Sequence, residues 1–180
     1  DIAWADTPDV VIESTGVFRA KESAKGGYGD HLKNGAKKVI LTVPAKDEID
    51  NMIVLGVNDD DLRPEDECVS NASCTANCLA PVAKVLNDPF GIVSGYMTTI
   101  HSYTNDQNLL DNFHKKYRRG RSAPLNLVIT ETGAAKAVAK AIPSLAGKLT
   151  GSAIRVPTPN VSLVVMSLDV KKETSVEEVN

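Results

Sequence analysis

Short apolar runs alternate with polar joints in the first third of the chain. The runs Val10–Ile12, Lys38–Val43 and Met52–Val57 are rich in valine, isoleucine and leucine. Near-continuous runs of this kind predict strands of a parallel sheet that helices cover on both faces. A stretch of helical composition lies between the first two runs, and the segment Gly26–Gly29 interrupts it. The pattern therefore predicts an α/β fold for this part of the chain.

The pattern changes near Ser73, where a single helix is predicted over Thr75–Asn87. Apolar positions recur there at helical spacing, which indicates one apolar face. The positions on this face are Cys78, Leu79, Val82, Val85 and Leu86. We therefore place a domain boundary near Ser73, with residues 1–73 in the first domain and 74–180 in the second.

Beyond this helix the predicted elements are two long strands and one further helix. The strands are Ser94–Tyr103 and Ala153–Val170, the second with a break at Pro157–Pro159. Between them lie a charged loop, 112–130, and a helix over Thr132–Ile142. Long strands with helices to one side are typical of an α+β domain. We expect this domain to contain a mixed or antiparallel sheet.

Two cysteines four residues apart stand in the stretch SNASCTANC, Ser70–Cys78. Zinc sites usually combine such a pair with a second pair of Cys or His ligands further along the chain. That second pair is missing, because the other cysteine and the histidines each stand alone: Cys68, His31, His101 and His114. The sequence therefore predicts no metal site. An odd number of cysteines without the spacing of a disulfide framework favours a reducing compartment, and the cytoplasm is the default.

The two cysteines of this stretch differ in their place on the predicted helix. Cys74 stands at its start, where the positive end of the helix dipole favours the thiolate, the form that attacks electrophiles. Cys78 lies one turn later on the apolar face and is predicted to be a buried neutral thiol. Cys74 is therefore the candidate nucleophile, and a buried packing cysteine is the alternative.

The composition narrows the classes of protein to consider. A chain of 180 residues, 42% of them hydrophobic, can form one good core or two small domains. No apolar run reaches the length of a membrane-spanning helix, and a net charge of -3 argues against general nucleic-acid binding. The one basic run, Lys115–Arg121, is a solvated face, a phosphate-binding site through Arg118 or a contact with a neighbouring subunit.

Four motifs follow one another in the second half of the chain. They are SNASCTANC, TTIHSYTNDQ over Thr98–Gln107, ETGAAKAVAKAIP over Glu131–Pro143 and RVPTPNVS over Arg155–Ser162. In their order and spacing the chain resembles the phosphorylating glyceraldehyde-3-phosphate dehydrogenases. VIESTGVF at 11–18 and HLKNGAKKVI at 31–40 extend the resemblance to nearly the whole chain.

This resemblance implies the second part of a Rossmann-like NAD-binding domain, followed by the α+β catalytic domain. It also implies a homotetramer, without a membrane or a nucleic acid as partner. A strand pattern that begins at Asp9–Glu13 and a capping box at Thr174–Glu177 suggest an internal segment. We expect the Gly-rich first half of the nicotinamide domain upstream and the rest of the catalytic domain downstream.

The chain departs from the family pattern at several places, of which only Asn112–Phe113 affects the expected cofactor. Gly26–Gly29 is an insertion, which we expect to form a surface loop. Asn112–Phe113 stands where many NAD-using members have a Leu-Pro pair. The residue that selects between NAD and NADP is expected upstream of Asp1. The resemblance implies NAD as the cofactor, and NADP is left open because the selecting residue is expected outside this sequence.

The reaction that the resemblance implies is oxidation of glyceraldehyde 3-phosphate to 1,3-bisphosphoglycerate with reduction of NAD. A thiolate suits this reaction because it can add to the aldehyde, carry the acyl group as a thioester and depart when phosphate attacks. Cys74 would be this nucleophile. His101 would be the base that accepts the proton from Cys74 or from the hemithioacetal hydroxyl. A hydrogen-bonded structural histidine is the alternative for His101.

The resemblance also implies sites for two anions and for the cofactor. Arginines, hydroxyls and backbone N–H groups at helix starts are suitable phosphate ligands. The substrate phosphate would lie at Thr104, Asp106 and Arg155, with Asp106 orienting the others. The attacking phosphate would lie at Ser73, Thr75, Thr132 and Gly133. Thr132 could equally cap the helix that follows, and both roles can hold at once.

The expected cofactor residues follow the first predicted strand. The end of a parallel strand, followed by small residues, is where α/β sheets receive ligands. The resemblance places four residues along the adenosine part of NAD: Ser14, Thr15, Gly16 and Phe18.

Three other functions compete with this interpretation. An erythrose-4-phosphate dehydrogenase of the same family would differ in substrate. The run HSYTND, which begins at His101, favours the glyceraldehyde-3-phosphate dehydrogenase. A Cys/His hydrolase would need an orienting Asn or Asp, to which nothing else in the sequence points. A non-catalytic binding module would leave the reactive environment of Cys74 without a use.

Overall fold

The computed structural model describes residues 4–180, which fold as two compact units. One unit extends to Pro81 and includes Lys140–Ile142, and the other comprises Val82–Ala139 and Pro143–Asn180. Four strands form one sheet in the first unit, and four others form a sheet in the second.

The sheet of the first unit is parallel throughout, as predicted. Its strands are β1 (Val10–Glu13), β2 (Lys38–Leu41), β3 (Asn51–Met52) and β4 (Cys68–Ser70), in the order β1-β2-β4-β3. The predicted strand Met52–Val57 is wrong beyond Met52, because the chain turns at Leu55–Val57, where Gly56 has a φ of +77°. Strand β4 was missed because its three residues carry no alternating or continuous apolar pattern.

Only one face of this sheet is covered by the residues that the structure describes. Val39, Leu41 and Cys68 are almost fully buried on that face. On the opposite face Val10 and Ile12 are 49% and 64% exposed, and Val10 lines a groove of about 500 Å³ together with Ile40 and Val69. The expectation that helices cover both faces is therefore wrong for residues 4–180.

The Gly26–Gly29 insertion contributes to the core, so its prediction as a surface loop is wrong. Tyr28 is fully buried against Val39, Leu41 and Cys68, and its hydroxyl donates to Asp47 Oδ1 at 3.0 Å. This burial, together with the neighbouring Asp47 carboxylate, raises the pKa of Tyr28. A Cβ at Gly27 would stand 2.2 Å from the Lys21 carbonyl oxygen, so only glycine fits there.

The helix expected between the first two strands is short. Helix α1 covers only Gly29–Lys33, and the segment before it consists of turns and bends. The backbone of this segment bonds back to itself, as in the Tyr28 N–H donating to the Ala20 carbonyl at 3.0 Å. This compact loop replaces the predicted helix because it places Tyr28 in the core.

The sheet of the second unit is mixed, which confirms the expected α+β arrangement. Its strands are β5 (Ile92–Ser102), β6 (Val128–Thr130), β7 (Leu149–Val156) and β8 (Ser162–Val170), in the order β6-β7-β5-β8. Strand β5 pairs in parallel with β7 and antiparallel with β8. Strand β6 pairs antiparallel with β7 and lies within the predicted charged loop.

The single strand predicted over Ala153–Val170 is wrong. It consists of β7 and β8, which flank β5 on opposite sides. Pro157 and Pro159 lack the N–H that a sheet ladder needs, so the chain leaves the sheet there and returns in the opposite direction.

The predicted helix over Thr75–Asn87 is confirmed as α2, Cys74–Phe90. Its predicted buried face is wrong, because Cys78 is exposed and Val82 and Val85 are 46% and 67% exposed. Leu79 is buried together with four small or aromatic side chains: Ala76, Ala80, Ala83 and Phe90. Alanines allow close packing of the helix backbone, so they, rather than the larger valines, mark its buried side.

Two further helices complete the described chain. Helix α3 covers Ala134–Ala141, inside the predicted Thr132–Ile142, and α4 covers Val176–Val179. Ser175 caps α4 by accepting from the Glu178 N–H, one residue later than the predicted Thr174 cap. Short 3₁₀ turns lie at Asp59–Asp61, Tyr117–Gly120 and Pro143–Leu145. Within residues 4–180 no helix has both the length and the apolar character needed to cross a membrane.

We predict that replacing Tyr28 with alanine destabilises the full-length protein by about 3–5 kcal/mol, because the change removes a fully buried aromatic ring. Tyr28→Phe keeps the ring and removes only the hydroxyl that binds Asp47, so it should cost about 1 kcal/mol. Tyr117→Ala is the matched control, since Tyr117 is 85% exposed and its loss should change stability by less than about 0.5 kcal/mol. Urea denaturation measures all three. Equal effects at Tyr28 and Tyr117 would contradict the assignment of Tyr28 to the core.

Candidate active site

The turn from β4 into α2 determines where Cys74 lies. Ala72, in the middle of this turn, is fully buried and has a φ of +64°. This left-handed conformation costs a residue with a Cβ about 1–2 kcal/mol. Strained backbone of this kind persists only where the surrounding contacts hold it, and it is frequent at functional sites.

Three polar side chains hold the strained turn. Ser70 Oγ donates to the Val43 carbonyl at 2.8 Å and accepts from the Ala72 N–H at 3.1 Å. Asn77 Nδ2 donates to the carbonyls of Asn71 and Ser73, at 2.7 and 2.9 Å. Ser73 Oγ accepts from the Ala76 N–H at 3.1 Å and so caps the helix. The turn is thus fixed from the segment after β2, from β4 and from the first turn of α2.

The three cysteines form no disulfide and lie in three different environments. Cys68 is buried in β4, and this burial raises its pKa to about 11, so it stays a neutral thiol. Cys74 is exposed at the first residue of α2, with its Sγ 3.8 Å from Thr75 Oγ1. Cys78 is exposed one turn later, which corrects its prediction as a buried thiol. Its burial therefore excludes Cys68 as a nucleophile. Cys74 differs from Cys78 because it stands at the start of the helix.

The predicted cofactor residues lie directly after β1. Thr15 N and Oγ1 both donate to Glu13 Oε1, at 2.9 and 2.5 Å, and Thr15 Oγ1 accepts from the Val17 N–H at 3.1 Å. Ser14, Thr15 and Gly16 are exposed, whereas Phe18 is half-buried. A Cβ built on Gly16 would meet no atom within 4 Å, so the space beside this turn is open.

The second unit brings His101 and Arg155 together, because they are direct partners in the pairing of β5 with β7. His101 is buried, and its Nδ1 lies 2.7 Å from the Ser102 carbonyl oxygen and 3.0 Å from Arg155 Nη1. The Ser102 carbonyl can only accept, which calls for a proton on Nδ1, whereas the Arg155 guanidinium can only donate, which calls for a lone pair on Nδ1. These two contacts hold the ring beside Arg155 without deciding which ring nitrogen carries the proton.

The predicted substrate-phosphate residues lie near one another in this unit. Arg155 Nη1 donates to the Ser102 carbonyl at 3.0 Å and to Thr104 Oγ1 at 3.3 Å. Thr104 and Asp106 are exposed in the segment that follows β5. Asp106 forms an ion pair with Arg119. Arg155 and Thr104 are therefore in direct contact, whereas Asp106 is paired with Arg119.

The sequence predicts Arg118 as the phosphate ligand and assigns no role to Arg119. Its guanidinium donates to Thr130 Oγ1 at 2.9 Å and to the Glu131 carbonyl at 3.3 Å, and its side chain is only 12% exposed. Arg118, the predicted phosphate ligand, is exposed and makes one contact of 3.4 Å with the Ile129 carbonyl. The assignment of Arg118 stays a prediction. A basic run does not show which of two adjacent arginines points inwards, so no signal in the sequence separated them.

Ser73 and Thr132 have similar local geometry at two helix starts. The Thr132 hydroxyl oxygen accepts from the Ala134 N–H at 3.2 Å, and the Gly133 carbonyl accepts from the Ala137 N–H. Ser73 Oγ accepts in the same manner from Ala76. Each hydroxyl therefore uses a lone pair for its helix and keeps its own hydrogen for another acceptor. Capping and phosphate binding are compatible at both residues, whereas Thr75 is buried.

Metal ligands are a separate question. Among residues 4–180 no group of three or more His, Cys, Asp or Glu side chains is arranged to hold a metal ion.

The candidate catalytic residues are divided between the two units. Cys74 belongs to the first unit, and His101 and Arg155 belong to the second.

Comparison with known proteins identifies the family. The family model described as "Glyceraldehyde 3-phosphate dehydrogenase, C-terminal domain" matches residues 73–180. The chain belongs to the glyceraldehyde-3-phosphate dehydrogenase family. The matched stretch contains Cys74, His101, Arg119 and Arg155, and it begins at the residue that caps α2.

Curated relatives agree with this family assignment. The chain is 57% identical to the glyceraldehyde-3-phosphate dehydrogenase of Borreliella burgdorferi, over 100% of this chain and 54% of the relative. It is 56% identical to the enzyme of that name from Geobacillus stearothermophilus, over 100% and 53%. A glyceraldehyde-3-phosphate dehydrogenase-like protein of Pseudomonas aeruginosa is 55% identical over 95% of this chain and 36% of its own length. The chain thus spans about half the length, or less, of these relatives.

We predict that Ser70→Ala destabilises the full-length family member by about 1–3 kcal/mol, because it leaves the buried Ala72 N–H and the Val43 carbonyl without their shared partner. The same change should slow alkylation of Cys74 by iodoacetate severalfold, since the turn no longer fixes the start of α2. Ser167→Ala on the exposed side of β8 is the control and should change stability by less than about 0.5 kcal/mol. Denaturation and alkylation kinetics together measure this, and wild-type values for Ser70→Ala would show that the turn does not depend on Ser70.

Proposed function

We propose that the chain supplies the nucleophile and the base of an NAD-dependent phosphorylating glyceraldehyde-3-phosphate dehydrogenase of glycolysis. The observation that carries this proposal is the exposed thiol of Cys74 at the first residue of α2, within the stretch that the family model matches. We further propose that the protein is a cytoplasmic homotetramer and that the domain boundary lies near Ser73.

Cys74 forms the covalent intermediate in this proposal. Its thiolate attacks the aldehyde carbon of glyceraldehyde 3-phosphate, so that a C–S bond forms and the carbonyl oxygen becomes a hemithioacetal hydroxyl. Loss of a proton from that hydroxyl and of a hydride from the same carbon gives a thioester. An oxygen of inorganic phosphate then attacks the thioester carbon, the C–S bond breaks, and 1,3-bisphosphoglycerate and the Cys74 thiolate are released.

His101 moves the protons. Its Nδ1 lies against the Ser102 carbonyl and the Arg155 guanidinium, so Nε2 is the nitrogen proposed to accept the proton from Cys74 or from the hemithioacetal hydroxyl. The buried position of His101 in β5 and its pairing with β7 restrict its ring to one orientation. A base with a fixed orientation needs no rearrangement at the moment of transfer.

Two groups of residues hold the anions in this proposal. Arg155 and Thr104 hold the substrate phosphate, and Asp106 orients Arg119, with which it forms an ion pair. Ser73, Thr75, Thr132 and Gly133 hold the attacking phosphate, and the geometry of Arg119 adds it to this group. Its anchoring by Thr130 and Glu131 places its charge immediately before Thr132–Gly133 and the start of α3.

The turn after β1 is proposed to hold the adenosine part of NAD. The residues Ser14, Thr15 and Gly16 are exposed at the carboxyl end of a parallel strand, where such sheets receive nucleotides. The open space beside Gly16 fits an approaching ligand. The nicotinamide of a cofactor held there would supply the hydride acceptor for the oxidation.

The full-length protein should form NADH when mixed with glyceraldehyde 3-phosphate, NAD and phosphate or arsenate. Cys74→Ser should lower kcat at least about a thousandfold, because an alkoxide is not available at neutral pH. Cys78→Ser is the matched control and should keep kcat within about twofold, since Cys78 is exposed and lies outside the proposed site. His101→Asn should bind NAD normally, lower kcat by about 10²–10⁴-fold and slow alkylation of Cys74.

Peptide mapping after iodoacetate treatment checks the same assignment, with Cys74 labelled first and activity lost in proportion. Labelling of Cys78 in its place, or turnover by Cys74→Ser, would sink the assignment of the nucleophile. A higher kcat/KM for erythrose 4-phosphate than for glyceraldehyde 3-phosphate would instead favour the alternative substrate.

Two adjacent arginines allow a matched test of the phosphate site. Arg119→Ala should raise the KM for inorganic phosphate at least about tenfold, because the phosphate loses a charge-assisted contact with the anchored guanidinium. Arg118→Ala removes the same charge one residue away and should change this KM by less than about threefold. Initial rates at saturating NAD measure both values. A larger effect at Arg118 would support the prediction from the sequence and contradict the inference from the contacts of Arg119.

A further inference from the structure

A buried pair of titratable side chains in the first unit has no part in the proposed reaction. Glu13, the last residue of β1, is 4% exposed, and His31 of α1 is 7% exposed. His31 Nε2 lies 3.1 Å from Glu13 Oε2. Burying a carboxylate costs free energy unless hydrogen bonds compensate for the lost water. The other hydrogen bonds of Glu13 therefore show which part of the structure its carboxylate stabilises.

The second carboxylate oxygen of Glu13 faces the turn that follows β1. Oε1 accepts from both the N–H and the hydroxyl of Thr15, at 2.9 and 2.5 Å. The Thr15 hydroxyl in turn accepts from the Val17 N–H at 3.1 Å. A continuous chain of hydrogen bonds therefore runs from His31 through Glu13 and Thr15 to Val17.

The carboxylate form suits this arrangement. Burial alone raises the pKa of Glu13, but the hydrogen bonds from Thr15 and His31 outweigh it, and the pKa lies below its ordinary value. The backbone of Glu13 is held as well, because the Thr42 N–H donates to its carbonyl at 3.1 Å. Glu13 is thus fixed from β2, from α1 and from its own turn.

The turn needs such support because no helix begins there. In many α/β units the chain enters a helix directly after the strand, and the helix start fixes the turn. Here α1 begins only at Gly29, so residues 14–28 carry no helical hydrogen-bond ladder at the end of β1. The Glu13 carboxylate takes the place of that ladder.

We propose that Glu13 is a positioning residue that fixes the Ser14–Val17 turn in the conformation that receives the adenosine part of the nicotinamide cofactor. Glu13 does not contact the cofactor, and it acts through Thr15. This inference rests on the proposed function, which assigns the turn to that ligand. A turn ordered before binding loses less conformational entropy when the ligand arrives, so Glu13 strengthens binding without taking part in the chemistry.

The test compares two substitutions of Glu13 in the full-length protein. Glu13→Leu removes both acceptor oxygens and should raise the Kd and the KM for NAD about tenfold, with kcat at saturating NAD within about twofold of wild type. Glu13→Gln keeps one oxygen for Thr15 and offers an amide N–H to His31, so it should stay within about threefold of wild type for all three values. Calorimetric titration gives the Kd, and initial rates separate KM from kcat.

Ser23→Ala is the matched control, because Ser23 Oγ makes a turn like that of Thr15. It accepts from the Lys25 N–H at 3.2 Å and donates to the Gly26 carbonyl at 2.6 Å, in the loop before α1. Its loss should leave the Kd for NAD unchanged. A Kd raised equally by Ser23→Ala would mean that general loosening of the loop, and not the Glu13 clamp, weakens binding, and would overturn the proposal.

Glu13→Asp keeps the test decisive if Glu13→Leu does not fold, because it keeps the buried charge and shortens the side chain by one methylene group. The shorter carboxylate cannot reach Thr15 and His31 together, so this change should also raise the Kd about tenfold. Wild-type Kd values in Glu13→Leu or Glu13→Asp protein that alkylates at Cys74 at the wild-type rate would refute the role of Glu13. Failure of the wild-type protein to bind NAD would instead refute the proposed cofactor site.

Discussion

A buried alanine in the left-handed conformation is the constraint on which the first unit depends. Ala72 bends the chain sharply between β4 and α2, and Ser70 ties this bend to the end of β2 through the Val43 carbonyl. Because the bend is fixed, the first residue of the helix is fixed as well. Cys68 lies before the bend in a buried strand, and Cys74 lies after it with an exposed thiol. The different reactivity expected of the two thiols thus follows from where the backbone turns.

In the second unit the corresponding constraint is the register of one long strand. Strand β5 lies between a parallel and an antiparallel neighbour, and its pairing with β7 sets His101 beside Arg155. A shift by one residue would turn every side chain of β5 to the other face. The carbonyl oxygen of Ser102 lies within hydrogen-bond distance of both His101 Nδ1 and Arg155 Nη1. A backbone oxygen at the end of β5 therefore helps to hold both side chains in place.

Features that depend on local pattern were predictable from the sequence. The parallel strands β1 and β2, the helix α2 and the strand β5 follow from continuous apolar runs or helical spacing. The buried side of α2 did not follow, because hydropathy ranks valine above alanine, whereas packing selected Ala76, Ala80 and Ala83. Tyr28 was missed for a related reason. A tyrosine between glycines indicates a loop, and only the tertiary structure shows that the loop carries the ring into the core.

The candidate site shows the same division between local and long-range information. Motifs singled out Cys74 and His101, because a cysteine at a helix start and a histidine near a strand end are local features. The choice between Arg118 and Arg119 depends on which side chain reaches Thr130 of β6, a strand that the pattern did not reveal. The purpose of Glu13 was equally hidden, since its partners Thr15 and His31 lie on both sides of an irregular loop.

Carboxylates that accept backbone N–H groups recur around the first sheet. Asp47 accepts from the Lys21 N–H at 2.5 Å, and Asp50 accepts from the N–H groups of Glu67 and Cys68 at 2.9 and 2.8 Å. Helix α1 has only five residues, so helical ladders satisfy few of the backbone donors around these strands. Hydrogen bonds to a charged acceptor are about twice as strong as neutral ones and hold a loop in one conformation. The loops of this unit are therefore ordered by side-chain charge, which keeps their geometry defined where a nucleotide is proposed to bind.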